Sequence, residues 1–150
     1  VATLAAGVMP APMERDAERA AALHKLAAVA GECGWSMRTL RSVAGPDADL
    51  LFPAGVVEMV EAWSDLCDRT MLEAMQDTFE PRLSQRVRQA ILLRLPPDAQ
   101  RRLGAQRGMA VLMSRRGQKV LRRSWVGTVN AIRQAAPAAS TSRTKLRKSW

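Results

Sequence analysis

Residues 51–71 read LFPAGVVEMVEAWSDLCDRTM. A short helical segment breaks at Pro53, whose ring fixes φ and leaves no N–H to donate. Beyond it apolar residues return at every third or fourth position: Val56, Val57, Val60, Trp63, Leu66, Cys67 and Thr70 or Met71. That spacing marks one face of a helix about six turns long, which the pattern makes the longest in the chain.

The same recurrence continues in both directions. Upstream, Asp16 can cap a first helix running to about Gly31, with Leu23, Leu26, Ala27 and Ala30 on one face, and Gly34 stands where a left-handed stop belongs. Ser36 opens a second helix, SMRTLRSVA, which buries Met37 and Leu40 with Val43 and Ala44 at its edge and ends at Gly45-Pro46. The piece DADLLF, residues 47–52, is at most about a turn and a half. Downstream, Pro81 interrupts the chain, Leu83, Val87, Ala90 and Ile91 mark a further helix, and Pro96-Pro97 stops it. Residues 98–113 carry Leu103, Ala110, Val111 and Met113 but also Gly104 and Gly108, so one weak helix or two short ones are expected. From Gln118 to about Ala136 the pattern is two-faced, with Leu121, Trp125, Thr128, Val129 and Ile132 on one side and Lys119, Arg122, Arg123 and Arg133 mostly on the other.

No run alternates with period two, so the expectation is an all-α fold. Its organisation reads as a flexible tail (1–15), a helix-turn-helix-like head (16–54), a helical bundle (55–136) serving ligand binding and dimerisation, and a basic tail (137–150). The opening residues lack the positive charge of a secretion signal and the Arg and Ser content of an import signal. No run of 18 apolar residues offers a membrane-spanning helix.

Composition narrows the function classes. Cys33 and Cys67 are the only cysteines, each inside a helical pattern, which points to two buried thiols in a reducing compartment rather than a zinc site or a disulfide framework. His24 is the single histidine and sits on a helix edge without an adjacent nucleophile. No Glu-x-x-His pair exists to build a di-iron centre in a helical bundle. No metal or catalytic set is expected, and an enzyme is not the reading these residues support. Charge is segregated: residues 1–80 hold 6 Lys and Arg against 13 Asp and Glu, net −7, and residues 81–150 hold 17 against 1, net +16. Such a dipole attracts anionic surfaces, whether nucleic acid or lipid.

The head invites comparison with DNA readers. TLRSVAG followed by LFP and a long helix resembles the start of TetR-type regulators, in which a full recognition helix lies between the positions of Gly45 and Phe52. Here only PDADLL intervenes, about one turn shorter. Its two aspartates repel phosphate, and it holds no Arg, Asn or Gln for base edges. A second resemblance covers more of the chain. GWSMRTLRSVAG, LFPAGVVEMVEAWSDLCDRTM and RLSQRVRQAILLRL look like successive motifs of the ubiquinone-biosynthesis accessory (Coq-nine) family, between about Arg19 and Ala136, densest at Gly34-Trp35-Ser36, Leu40, Leu51-Phe52-Pro53, Val60 and Met71. The resemblance implies a TetR-like fold with a degenerate helix-turn-helix head, and a lipid-binding role in which an isoprenoid quinone intermediate is presented to the demethoxyubiquinone hydroxylase. It also implies peripheral attachment to an anionic membrane surface, here the bacterial inner membrane seen from the cytoplasm, and a homodimer through the last long helices. The family's acidic tail is represented only by Ser140-Thr141, and the amphipathic membrane helix that follows it in the family has no counterpart among the residues up to Trp150.

The residues accommodate that reading. A bundle can hold an elongated apolar ligand among its helices, and methionines line such sites adaptably. The candidate lipid-binding set is Val60, Trp63, Cys67, Met71, Met75, Met109, Met113 and Trp125. No cofactor is expected beyond a bound isoprenoid lipid or quinone intermediate. The candidate membrane or anion-binding set is Arg115, Arg116, Lys119, Arg122, Arg123, Lys145, Arg147 and Lys148, each worth about 1 kcal/mol beside anionic headgroups. The alternative function is a TetR-type transcriptional regulator with the C-terminal cations on nucleic acid phosphates.

Overall fold

The computed structural model describes residues 16–114 and 116–136. Among them lie α1 (Ala17–Cys33), α2 (Met37–Ala44), α3 (Val56–Gln76), α4 (Leu83–Arg94), α5 (Ala99–Met113) and α6 (Gln118–Ala135), with a 3-10 helix over Pro46–Leu50 between α2 and α3. No strand occurs among the described residues, and the fold is all-α. None of these helices is long and apolar enough to cross a membrane.

Local chemistry fixes the helix starts. The Asp16 carboxylate accepts from the backbone N–H groups of Glu18 and Arg19 at 2.9 and 3.2 Å. Ser36 Oγ accepts from Thr39 at 3.1 Å, and Asp98 from Arg101 at 2.7 Å. Each satisfies a backbone donor that the first turn of a helix leaves free, worth about 1 kcal/mol. The backbone and side chain of Arg101 hold the Asp98 carboxyl below its ordinary pKa. Gly34 and Gly45, at φ +79° and +94°, close α1 and α2 in the left-handed region where a Cβ is strained.

Two buried cores share α3. The first joins Leu23, Leu26 and Ala30 of α1, then Trp35, Leu40 and Phe52, to Met59, Val60 and Leu66 of α3 and Leu112 of α5, and so takes residues from both sides of Pro53. The second joins Met71 and Met75 of α3 to Ala90 of α4 and Ala131 and Ala135 of α6. Burying a Leu or Met side chain stabilises by about 1.5–3 kcal/mol, so these cores account for much of the hold.

The segment expected to be weak or interrupted is one continuous helix, α5, and its glycines explain themselves by packing. A Cβ on Gly31 would lie 2.5 Å from the Gln100 carbonyl oxygen, and one on Gly104 would lie 3.3 Å from the Gly31 nitrogen. A Cβ on Gly108 would lie 3.2 Å from Trp35 Nε1. The indole N–H of Trp35 in turn donates to the Gly104 carbonyl at 2.8 Å. The glycines cost about 1 kcal/mol each in helix propensity and let α1, Trp35 and α5 meet at backbone distance.

Two apolar faces differ from the sequence expectation. On α4 the buried positions are Arg86 and Ala90, and Leu83 and Ile91 are exposed. Arg86 takes the inward place because its guanidinium donates to the carbonyls of Ala135 (2.5 Å), Thr78 (3.2 Å) and Met75 (3.3 Å), at the end of α6 and at and just past the last turn of α3. On α6 the inward residues are Ser124, Ala131 and Ala135, small enough for close approach to α3, and Trp125 turns out to solvent at 67 % exposure. Of the expected stripe, Leu121 and Ile132 do pack against the two cores and Thr128 bonds Asp68, so it is Trp125 that departs from the buried face.

Candidate functional site

Between α1, α3, the α4–α5 connection and α5 lies a cavity of about 600 Å³, within the range of small-molecule sites. α1 contributes His24 and Ala27, and α3 contributes Val60, Trp63, Ser64, Leu66, Cys67 and Thr70. Leu93 through Pro97 supply one end, α5 supplies Arg101, Ala105, Met109 and Leu112, and Trp35 packs in from the loop after α1. Trp35 and Trp63 stand 6.4 Å apart, and the His24 ring meets Trp63 edge-on at 5.5 Å. Pro96-Pro97 shapes the wall because it ends α4 and forces an extended connection into α5.

Four of the eight candidate ligand residues, Val60, Trp63, Cys67 and Met109, come together on this cavity. Met71 and Met75 continue the same stripe of α3 but are packed into the second core against Ala90, Ala131 and Ala135. α4 and α6 close over α3 there, so no room remains for a ligand. Met113 and Trp125 are exposed and lie outside the cavity lining. Sequence reasoning missed Trp35, Arg94, Arg101 and the small residues Gly104 and Gly108. The two glycines were read as helix weakness although their spacing on α5 was the available signal for a close helix contact.

The charged part of the lining is cationic, Arg94 and Arg101, beside the polar Ser64, Thr70 and His24. Arg94 binds the Asp68 carboxylate through Nε and the Ser64 hydroxyl through Nη2 at 3.0 Å. Asp68, 2 % exposed, also accepts from the Thr128 hydroxyl, 3.0 Å from each of its oxygens, so α3, α4 and α6 are clamped at one point. Arg101 pairs with Asp98 at 2.5 Å. No Asp or Glu belongs to the lining. Burial pushes the Cys67 thiol up to about 11, with the Arg94 charge acting in the opposite direction, so it stays protonated at neutral pH and is a poor nucleophile. Cys33, expected to be buried, is exposed at the end of α1. No group of three His, Cys, Asp or Glu side chains among the described residues could hold a metal ion.

Comparison with protein-family models, curated proteins and solved structures finds no match for this chain. Its own geometry carries the reading.

The cationic set divides. Arg116, Lys119 and Arg122 are exposed. Arg123 is engaged instead with Glu61 at 2.5 Å, a contact that raises its pKa further. Arg115, Lys145, Arg147 and Lys148 lie outside the described residues. Arg122, Trp125, Val126, Val129 and Arg133 share one outer face of α6 by their spacing, with Trp125, Val126 and both arginines exposed. In the head, PDADL forms a single 3-10 helix with Asp47 exposed. Arg41 is tied to Asp49 by a two-pronged contact at 2.7–3.0 Å, which lowers the Asp49 pKa.

Proposed function

We propose that this chain is a non-enzymatic lipid-binding protein whose ligand lies in the cavity beside Trp63. The observation that carries the reading is that cavity: apolar over most of its wall, flanked by two tryptophans, with a few polar groups at one end. Its thiol is shifted in the direction opposite to nucleophilic activation. The finer reading is an accessory protein of ubiquinone biosynthesis with a TetR-like fold, peripheral on a bacterial inner membrane and homodimeric, that presents an isoprenoid quinone intermediate to the demethoxyubiquinone hydroxylase. It rests on the motif resemblance between Arg19 and Ala136. Membrane contact draws support from the outer face of α6, where an exposed Trp and Val stand among cations, the composition that seats a helix in an anionic interface.

A TetR-type regulator receives less support. The five-residue 3-10 helix is too short to lie along a major groove, and Arg41 is occupied by Asp49. Native mass spectrometry of the protein purified from its host, followed by release and identification of bound material, tests the proposal. A co-purifying isoprenoid or other single-chain lipid is expected. A clean apo mass together with no binding to anionic vesicles would sink it.

A further inference from the structure

Resting on the cavity reading above but not on its quinone refinement, which it would replace, we infer that the ligand is a single-chain amphiphile with an oxyanion head, a carboxylate or a phosphate monoester, and that the head lies at the Arg94–Arg101 end of the cavity. α3 forms much of the wall and is rich in acids, yet none of them lines the space. Glu61 turns to Arg123, Asp68 to Arg94 and Thr128, and Glu73 to Arg69. The charged groups left on the lining are two guanidiniums, Arg94 and Arg101. Each is paired with a carboxylate, yet both keep N–H groups that a neutral apolar head would leave without an acceptor.

Arg94 is built as a fixed donor. Nε on Asp68 and Nη2 on Ser64 hold one edge of the planar group, and Nη1 makes no hydrogen bond among the described residues. Its rotamer freedom is already removed by these contacts, so an incoming acceptor is not charged that entropy. Asp68 offsets the charge of Arg94 but sits behind it, outside the lining. Arg101 supplies the mobile partner. Its contact with Asp98 is a half-exposed pair three residues apart, a type worth about 0–1 kcal/mol, which an oxyanion can displace at little cost.

The tail direction follows from α5. Arg101 and Gly108 are seven residues apart, about 10 Å along the helix, and Gly108 is where Trp35 and Val60 converge. An alkyl chain leaving the cationic end crosses Trp63 and ends among Trp35, Val60 and Leu112.

The test is titration of the full chain with hexadecanoate, hexadecyl phosphate, hexadecanol and a decyl-substituted benzoquinone, all below their aggregation limits, followed by tryptophan fluorescence and calorimetry. The expected result is that at least one anionic amphiphile binds about tenfold or more tightly than the alcohol, the margin of one charge-assisted hydrogen bond. The preferred anion then distinguishes a fatty carboxylate from a lipid phosphate. Arg101→Gln, at a half-exposed position and checked for native helicity, is expected to lower anion affinity about fivefold to tenfold and leave the alcohol unchanged. Equal binding of alcohol and anions, tighter binding of the quinone than of either anion, or an Arg101→Gln effect equal for all ligands would overturn the head-group assignment while leaving the cavity reading in place. Failure of all four to bind would overturn both.

Discussion

Replacing Asp68 with alanine is expected to cost about 3 kcal/mol of folding stability. The carboxylate is almost fully buried and receives Nε of Arg94 and the hydroxyl of Thr128. Its removal strands a guanidinium whose remaining partner is Ser64. Breaking a buried ion pair from one side costs about 3–5 kcal/mol, and the Arg94 side chain is 23 % exposed, so water can reach it in part and the lower end applies. For a chain of this size that corresponds to a fall in Tm of about 10 °C. Urea denaturation followed by helical circular dichroism measures it. The double variant Asp68→Leu with Arg94→Met removes both charges together and is expected to recover most of the loss, because a buried pair replaced by apolar side chains is often neutral. A single-variant cost within about 0.5 kcal/mol of zero, the range of ordinary surface changes, would refute the clamp. So would single-variant costs that simply add in the double variant.

Three further outcomes follow from the same geometry. Gly31→Ala pushes a methyl against the Gln100 carbonyl and is expected to destabilise by about 1–3 kcal/mol, whereas Gly127→Ala, whose nearest neighbour is the Asp68 carboxylate at 3.9 Å, is expected to be neutral or stabilising in the same denaturation assay. Arg86→Met takes the guanidinium donor from the carbonyls of Ala135 and Thr78 and one of several donors from that of Met75, and is expected to cost about 2–4 kcal/mol, with Arg86→Lys recovering only part because an ammonium cannot spread over three separated acceptors. Cys33 is expected to react at once with a thiol reagent at pH 8 and Cys67 only after unfolding. The Cys67 pKa is raised on folding from 9.0 to about 11, so its share of stability is intact below pH 9 and is lost as pH climbs toward 11, a slope that Cys67→Ala should flatten.

Much of the architecture was legible because caps and breakers act locally. Asp16, Ser36, Gly34 and Gly45 carry their instructions in their own backbone chemistry, and α1 and α2 begin and end where those residues require. The stripe on α3 includes Val60, Trp63 and Cys67, which the fold places on the cavity. It misled at Met71 and Met75 because periodicity says which face is apolar but not what covers it. On α6 the pattern led to Leu121, Thr128 and Ile132, which do face the cores, but also to Trp125, whose place is taken by a row of small residues. Close helix contact there selects for volume rather than hydropathy, so Ser124, Ala131 and Ala135 go inward and the indole goes out. Arg86 and Asp68 were illegible for a related reason: each is buried by partners on other helices, far away in sequence.

The meeting of Trp35 with Gly104 spans 69 positions of the chain. During synthesis from the N-terminus, α1 and α2 emerge long before the helix that covers them. Until α5 leaves the ribosome, the faces of Leu23, Leu26 and Trp35 that pack in the first core lack the wall supplied by Leu112. The first helices therefore wait with an open apolar side, the condition in which nascent chains need shielding. Completion of this protein is a late event, timed by residues beyond position 100 rather than by the helix that begins it.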